Sequence, residues 1–397
     1  MRAVGSSHNP LLADEATRRR LGFADIRLYD VPSTVESLIV ADDTDSRYIT
    51  WKATTAKADS NVLYDYELAH RLERKSVIRQ LLPRQLFPAF RSMTVREAKK
   101  TAYDDLISGL EADSLVVQED FSTGGKGTFF VSDSQQYEAA LASMDNGSIV
   151  VISRMIEGES MAVQCFAGND KVYSMPWWHK DLVAIPGVCK DVSGATKYCG
   201  AQLYNIPQQY RAKLHELVET VGSHLMKAGY AGVFGMDIVV YGDIMYLIEI
   251  NPRFTAVSHL YGSVMCSLGY KTDFMTAAAC QATGLPVDYE DFEQEYPLEG
   301  PVSYLKLQNI QDNAVLLAAN LQLGVYREGV LHSNEHEVAG LQQPGDILVV
   351  PEADLQIAHE PGARIFSVIM RGEAIQAGEL SEWAERSVSQ LRSQFVV

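Results

Sequence analysis

The chain has 397 residues, 47% hydrophobic and 21% charged, the balance of a globular protein with enough apolar material for two or three packed units. Its 34 basic and 51 acidic residues leave a formal charge of −17, which argues against a nucleic-acid binder, since that class carries a basic surface. No apolar run approaches the roughly 18 residues that span a bilayer. No apolar block of the signal-peptide kind accompanies Arg18–Arg20, so a cytoplasmic protein is expected, with no membrane partner.

Up to about Leu63 the pattern is weak; Asp14–Leu21 reads as a short helix and Val35–Val40 as a strand. Tyr64–Leu82 reads as one helix ending before Pro83. Thr94-x-x-Glu97 has the form of a capping box and opens a helix with Val95, Ala98, Ala102, Leu106 and Leu110 at helical spacing. Strands follow at Leu115–Gln118, Thr128–Val131, Ile149–Ser153, Met161–Ala167 and Lys171–Met175, interrupted by a helix over Asp133–Met144. Pro207–Lys227 is an amphipathic helix, with Pro207 in its first turn and Gly229 at its end. Val233–Val240 and Met245–Ile250 are strands. Asp288–Glu299 reads as an acidic linker. Beyond it Val302–Leu307, Asp346–Val350 and Ile365–Met370 are strands and Glu379–Phe395 a closing helix. The mixture defines an α+β architecture. The five cysteines (Cys165, Cys189, Cys199, Cys266, Cys280) show no CxxC spacing and read as free thiols.

The densest chemistry lies at Gly235-Met236-Asp237 and Glu249-Ile250-Asn251-Pro252-Arg253. Glu249 and Asn251 are two apart and share one face of a strand. Asp237 joins them if it stands opposite Glu249, which an odd-length loop centred on Asp243 would give. A two-residue turn at Gly242-Asp243 would pair Asp237 with Ile248 and break the site. Two carboxylates and an amide suit magnesium, which takes oxygen ligands and is commonly held by one or two carboxylates plus nucleotide phosphates. Arg253 brings a fork suited to carboxylate or phosphate. Set against this, paired acids at a hairpin are often only solvated surface; the apolar Leu247, Ile248 and Ile250 imply a buried strand, where a carboxylate is costly unless used.

A second feature is the Gly-rich turn Thr123-Gly124-Gly125-Lys126-Gly127-Thr128, whose amides and lysine could approach phosphate oxygens; it is not a Walker A loop, because a strand follows Lys126. A third is the strand end Arg154-Met155-Ile156, which could offer backbone groups to an adenine edge.

In this order the segments resemble the ATP-grasp fold, in which two α+β subdomains clamp ATP, over roughly Lys75–Gly284. The resemblance implies that Asp237, Glu249 and Asn251 hold magnesium, two ions with manganese as a substitute, and that Arg253 supports the acyl phosphate or its capture. It implies that Gly124, Gly125, Lys126, Gly127 and Thr128 cover the phosphates, that Arg154, Met155 and Ile156 read adenine, and that Lys75 is the first nucleotide-binding lysine. Three positions depart from the family: Gln118 stands where a second lysine is usual, Ser153 where an acid is common, and Ser160 where the ribose-binding acid is common, with Glu159 one residue away. Gln118 supplies a hydrogen bond to nucleotide but no charge.

The implied organisation is a reduced N-terminal α/β region (1–72), an ATP-grasp domain (73–285, lid subdomain to about 157 and metal-site subdomain from about 158), and a small C-terminal β-rich domain (286–397). The implied activity is ATP-dependent ligation of a small-molecule carboxylate to an amine through an acyl phosphate, on an amino acid or small peptide in secondary metabolism, by a homodimer. Two alternatives stand beside it: a ligase loading an amino acid onto a carrier-protein thiol, and a non-catalytic ATP-binding subunit. A biotin-dependent carboxylase component fits less well, because that family's N-terminal region is longer. Trp177-Trp178-His179-Lys180 and Thr255–His259 are candidates for the substrate pockets, with the two Trp more simply explained as core.

Overall fold

The computed structural model describes residues 2–5, 25–28, 65–122, 127–190, 198–282, 284, 286–318, 320–335, 338–343, 345–351 and 358–396. The helix expected over Asp14–Leu21, the strand over Val35–Val40 and the residues Thr123, Gly124, Gly125 and Lys126 lie outside the described residues. Near the start, β1 (Arg2–Gly5) and β2 (Asp25–Leu28) pair in parallel.

The helix expected over Tyr64–Leu82 is two helices, α1 (Tyr66–Leu72) and α2 (Lys75–Leu81). Arg74 between them is extended, at φ −71° and ψ 122°. The break is fixed from a distance: Asp120 accepts from the Ser76 amide at 2.8 Å through its carboxylate and from the Lys75 amide at 2.9 Å through its carbonyl. A cap supplied 44 residues away leaves no local signature.

After β3 (Phe90–Thr94), the capping box forms as expected: the Glu97 amide donates to Thr94 Oγ1 at 3.2 Å and the Thr94 amide to Glu97 Oε2 at 2.8 Å. The helix it opens, α3 (Val95–Ala98), is short, and Ala102 is extended before α4 (Tyr103–Leu110) begins. Val95, Ala98, Leu106 and Leu110 are all buried despite the break, whereas Ala102 is exposed. β4 (Leu115–Glu119) and β5 (Thr128–Val131) form a hairpin, α5 (Ser134–Ala142) starts at an Asp133 cap, and β6 (Ile149–Arg154) completes an antiparallel sheet of order β3-β6-β4-β5. Leu115, Val117, Val150 and Ile152 point into the core with α3, α4 and α5. Phe90, Ser153 and Val116 stand in one row of the other face, with Val151 and Gln118 in the next.

β7 (Glu159–Ala167) and β8 (Val172–Ser174) pair; β9 (Trp177–Val183) and β10 (Tyr198–Asn205) follow, then α6 (Gln208–Lys227), β11 (Gly232–Tyr241) and β12 (Ile244–Asn251). α6 buries Leu214, Leu217, Val218, Val221 and Leu225, begins after Pro207, and ends with Gly229 at φ +92°. It sits directly on β8 because Gly222 has no side chain; a Cβ there would collide with Val172.

The contacts divide the chain into two compact units that are not consecutive in sequence. One is Glu67–Ser174 with Ile206–Thr255; it holds the four-stranded sheet and the antiparallel strands β12-β11-β7-β8. The other is Met1–Tyr66, Met175–Asn205 and Ala256–Val397. Its later elements are α7 (Ser258–Ser267), α8 (Phe274–Ala282), β13 (Val302–Gln308), β14 (Val315–Leu316), β15 (Gly324–Arg327), β16 (Val330–Ser333), β17 (Asp346–Pro351), β18 (Ala358–His359), β19 (Arg364–Arg371), β20 (Ile375–Gln376), β21 (Glu379–Leu380) and α9 (Glu382–Phe395). Within it β9-β10-β13-β19-β17-β15-β16 run antiparallel, so the β-rich stretch after 285 shares its sheet with strands from 175–205. Leu305, Val349, Phe366, Val368, Leu391 and Phe395 fill its core. The expected acidic linker is packed instead: Phe292 stacks on Phe274 at 5.2 Å, and Asp291 accepts from the Thr272 amide at 2.9 Å.

Candidate active site

The hairpin β11–β12 brings the three oxygen-bearing side chains together by a route the sequence did not reveal. Tyr241 pairs with Ile244, so the turn at Gly242-Asp243 has two residues, and Ile238 pairs with Leu247. The next pair is Asp237 with Glu249, because Ile248 is an extra residue, a β-bulge. The expectation that this turn would set Asp237 against Ile248 is therefore wrong, as is the need for an odd-length loop. The bulge restores the register and shifts the buried positions of β12 from a step of two to a step of three, Leu247 to Ile250. Glu249 is thereby turned to the face that carries Asp237, and Asn251 pairs with Gly235 on the same face.

Cations converge on that face. Lys75 Nζ lies 3.5 Å from Glu249 Oε2, with only 2% of the lysine side chain exposed. Arg253 pairs with Glu73 through Nε, donates from Nη2 to Asn251 Oδ1 at 3.2 Å, and from Nη1 to the Phe254 carbonyl at 3.3 Å. Asn251 Nδ2 donates to Asp237 Oδ2 at 3.4 Å. Each of the three candidate ligands thus has an oxygen engaged by a cation or an amide. Gln164, opposite Gly235 on β7, extends the face and donates to Thr255 Oγ1 at 3.4 Å.

Sequence reasoning passed over Glu73, Asp120 and Arg79. Arg79 had a signal: it lies four residues after Lys75 and so on the same side of α2. Its side chain is buried, with the guanidinium over the rings of Phe87 and Phe90 at 5.2 and 5.4 Å. Burial pushes the guanidinium down to about 10, against the opposing pull of Glu249 and Asp120. Glu73 and Asp120 act across long sequence separations, where spacing carries no information.

The remaining candidates are less gathered. Gln118 is buried, its amide 3.5 Å from Thr128 Oγ1, and the carbonyl of Gly127, a residue at φ +73°, accepts from the Glu119 amide at 2.9 Å. The Arg154 and Met155 amides donate to the carbonyls of Ala89 and Ser114, so these two N–H groups are already engaged within the sheet. Glu159 stands opposite Val240, on the face of β7 away from Asp237; Ser160, opposite Val239, is on the Asp237 face.

In the other unit, Trp177 and Trp178 are core residues. His179 meets Tyr261 Oη at 3.0 Å and Asp181 at 3.5 Å, and burial pushes its imidazole down to about 3. His259 meets Tyr304 edge to face at 4.5 Å and is pushed down to about 4 by burial, then by Lys306. Burial also raises Asp181 to about 6, although 48% of its side chain is open to solvent. Cys189 and Cys199 are buried free thiols.

The donor chemistry fits magnesium shared with a nucleotide. Asp237, Glu249 and Asn251 are hard oxygen donors on one face, and half-buried rather than sealed. Among the described residues no group of three or more His, Cys, Asp or Glu side chains is placed to hold a metal, so two carboxylates and an amide would need phosphate oxygens to complete a coordination shell. No helix among the described residues is long and apolar enough to cross a membrane.

Comparison with known proteins bears on the fold. Residues 86–257 match the family model for the ATP-grasp domain. The arginine-specific carbamoyl phosphate synthase large chain of Halalkalibacterium halodurans is 22% identical over 324 residues, covering 78% of this chain and 29% of that protein. The phosphoribosylamine–glycine ligase of Lactococcus lactis is 26% identical over 144 residues, 35% of each. The matches thus span only about a third of these relatives' length. A biotin carboxylase domain dimer of Hydrogenobacter thermophilus 2-oxoglutarate carboxylase, crystallised with MgADP, ADP and bicarbonate, superposes with a TM-score of 0.62 at 10% identity, covering 93% of this chain and 86% of that one. At that identity the likeness is one of fold. The chain has the ATP-grasp fold, and residues 86–257 are similar to the ATP-grasp domain.

Proposed function

We propose that the protein is an ATP-dependent carboxylate–amine ligase. A substrate carboxylate oxygen attacks the γ-phosphorus of ATP, the bond to ADP breaks, and an acyl phosphate forms. The amine nitrogen then attacks the acyl carbon, the bond to phosphate breaks, and the amine's proton leaves to solvent. The observation carrying this reading is the bulged register that sets Asp237, Glu249 and Asn251 on one face beside Lys75 and Arg253.

Asp237, Glu249 and Asn251 would hold magnesium together with the nucleotide phosphates. Bound there, magnesium neutralises phosphate oxygens and so lowers the cost of charge built up during transfer. Lys75 holds a phosphate oxygen. Arg253, kept in place by Glu73, offers its fork to the acyl phosphate and to the oxyanion formed when the amine attacks. Lys75 and Arg253 exchange carboxylate partners for phosphate when nucleotide enters. The relatives named above include a ligase that acts on glycine in name, which supports an amino acid or small peptide as substrate. The dimer described for the Hydrogenobacter structure supports a homodimer, to be checked by light scattering.

Incubation with Mg-ATP and pools of amino acids or small acids tests the reaction. Substrate-dependent ADP and phosphate are expected; AMP and pyrophosphate would replace this mechanism with adenylation. A second reading, a non-catalytic ATP-binding subunit, draws on one observation: Gln118 is neutral and buried on the lid sheet. Nucleotide binding with no turnover on any pool would favour it.

A further inference from the structure

Three cations around the hairpin are each matched with a carboxylate. Lys75 pairs with Glu249, Arg74 with Asp120 at 3.3 Å, and Arg253 with Glu73. Arg79 makes no ion pair among the described residues. Its Nε has no hydrogen-bond partner, and Nη1 reaches only the Lys75 carbonyl, at a weak 3.4 Å. Yet it is 5% exposed. A buried cation is costly unless paired, and the rings of Phe87 and Phe90 compensate only in part.

Its position indicates which anion would match it. Arg79 is one turn from Lys75 on α2 and close enough to Glu249 and Asp120 for both to raise its pKa. The Phe90 it covers pairs with Ser153, whose hydroxyl is also buried without a partner, on the sheet face that carries the uncharged Gln118. This face therefore gains its positive charge from the helix and not from the strand.

We infer that Arg79 is an anion-recognition residue of the nucleotide site, contacting a phosphate oxygen of the polyphosphate chain beside Lys75. The inference rests on the nucleotide-binding reading above and adds a residue to it. The guanidinium fork matches two phosphate oxygens at once, which a lysine does not.

Calorimetric titration of the full chain with ADP, ATP, inorganic tripolyphosphate and adenosine, for wild type, Arg79→Gln and Arg79→Lys, tests it. Arg79→Gln is expected to weaken ADP, ATP and tripolyphosphate by at least about tenfold, with adenosine unchanged and Arg79→Lys in between. Equal losses for adenosine and ADP would make Arg79 a structural residue, and unchanged affinity for all four would remove it from the site; either overturns the inference while nucleotide binding stands. If Arg79→Gln does not fold, Arg79→Lys decides alone by the ratio of its ADP loss to its adenosine loss. A wild type that binds neither ATP nor ADP would overturn the nucleotide reading, and the inference with it.

Discussion

Two side-chain clusters, one in each compact unit, treat ionisable groups in opposite ways. Around the β11–β12 hairpin, charge is retained by pairing: Lys75 with Glu249, Arg253 with Glu73, Arg74 with Asp120. Around His179 and His259, in the other unit, burial removes charge: the two imidazoles are pushed down to about 3 and 4 and are neutral near pH 7, while Asp181 is raised only to about 6. Pairs can exchange one partner for another, so the first unit can release its oxygens and cations to a charged ligand. Buried neutral groups resist charge, which suits packing or the recognition of an uncharged group. This contrast supports the proposal that anionic nucleotide and divalent ions bind at the first cluster.

The sharpest way to break that contrast is Glu249→Gln. It removes one carboxylate while keeping shape, and should lower turnover by about 10²–10³-fold with the fold retained, comparable to the loss of a key electrostatic contact. Near-normal turnover with an unchanged far-ultraviolet dichroism spectrum would detach the hairpin from the chemistry. Deleting Ile248 asks whether the bulge is what makes the site. The regular ladder left behind still sets Asp237 opposite Glu249, so binding of Mn²⁺ in the presence of ATP, followed by electron paramagnetic resonance, should persist. Lost binding would show that the local geometry of the bulge, and not the register alone, makes the site.

Lys75→Gln has a smaller effect with two signs. It removes a charge-assisted contact to phosphate, so ADP affinity should fall about tenfold. It also frees Glu249 Oε2, so Mn²⁺ binding without nucleotide should tighten. A fall in both would mean that the pair orders Glu249 instead of blocking it.

Much of this molecule could be read along the chain. The strands expected between Leu115 and Met175, those of the hairpin, the capping box at Thr94, the amphipathic face of α6 and the acidic and amide residues of the hairpin all follow from local patterns, whereas β3, β9 and β10 carried no such expectation. What stayed hidden depends on distant partners or on one extra residue. Asp120 splits the helix expected over Tyr64–Leu82 by capping its second half. Ile248 bulges because the site face and the buried face cannot both be served by strict alternation after a two-residue turn. Glu73 reaches Arg253 across 180 residues. The packing of Asp288–Glu299 follows from Phe292 and Asp291 within an otherwise acidic stretch.

The smallest predicted effect tests the second half of the contrast, the neutral cluster. In the unfolded chain His179 takes a proton near its ordinary 6.5, while in the folded protein it does so only near 3. Stability present above about 6.5 is therefore lost as pH falls toward 3. Asp181 opposes this: its raised folded value means that stability present below 3.8 is lost as pH rises through about 6. With half its side chain in solvent, Asp181 should contribute the weaker slope. The urea midpoint of the wild type should thus drop between pH 7 and pH 4, and His179→Gln should flatten that drop, with a residual slope from His259. If wild type and variant fall in parallel, His179 is reached by protons in the folded state and the cluster is not sealed.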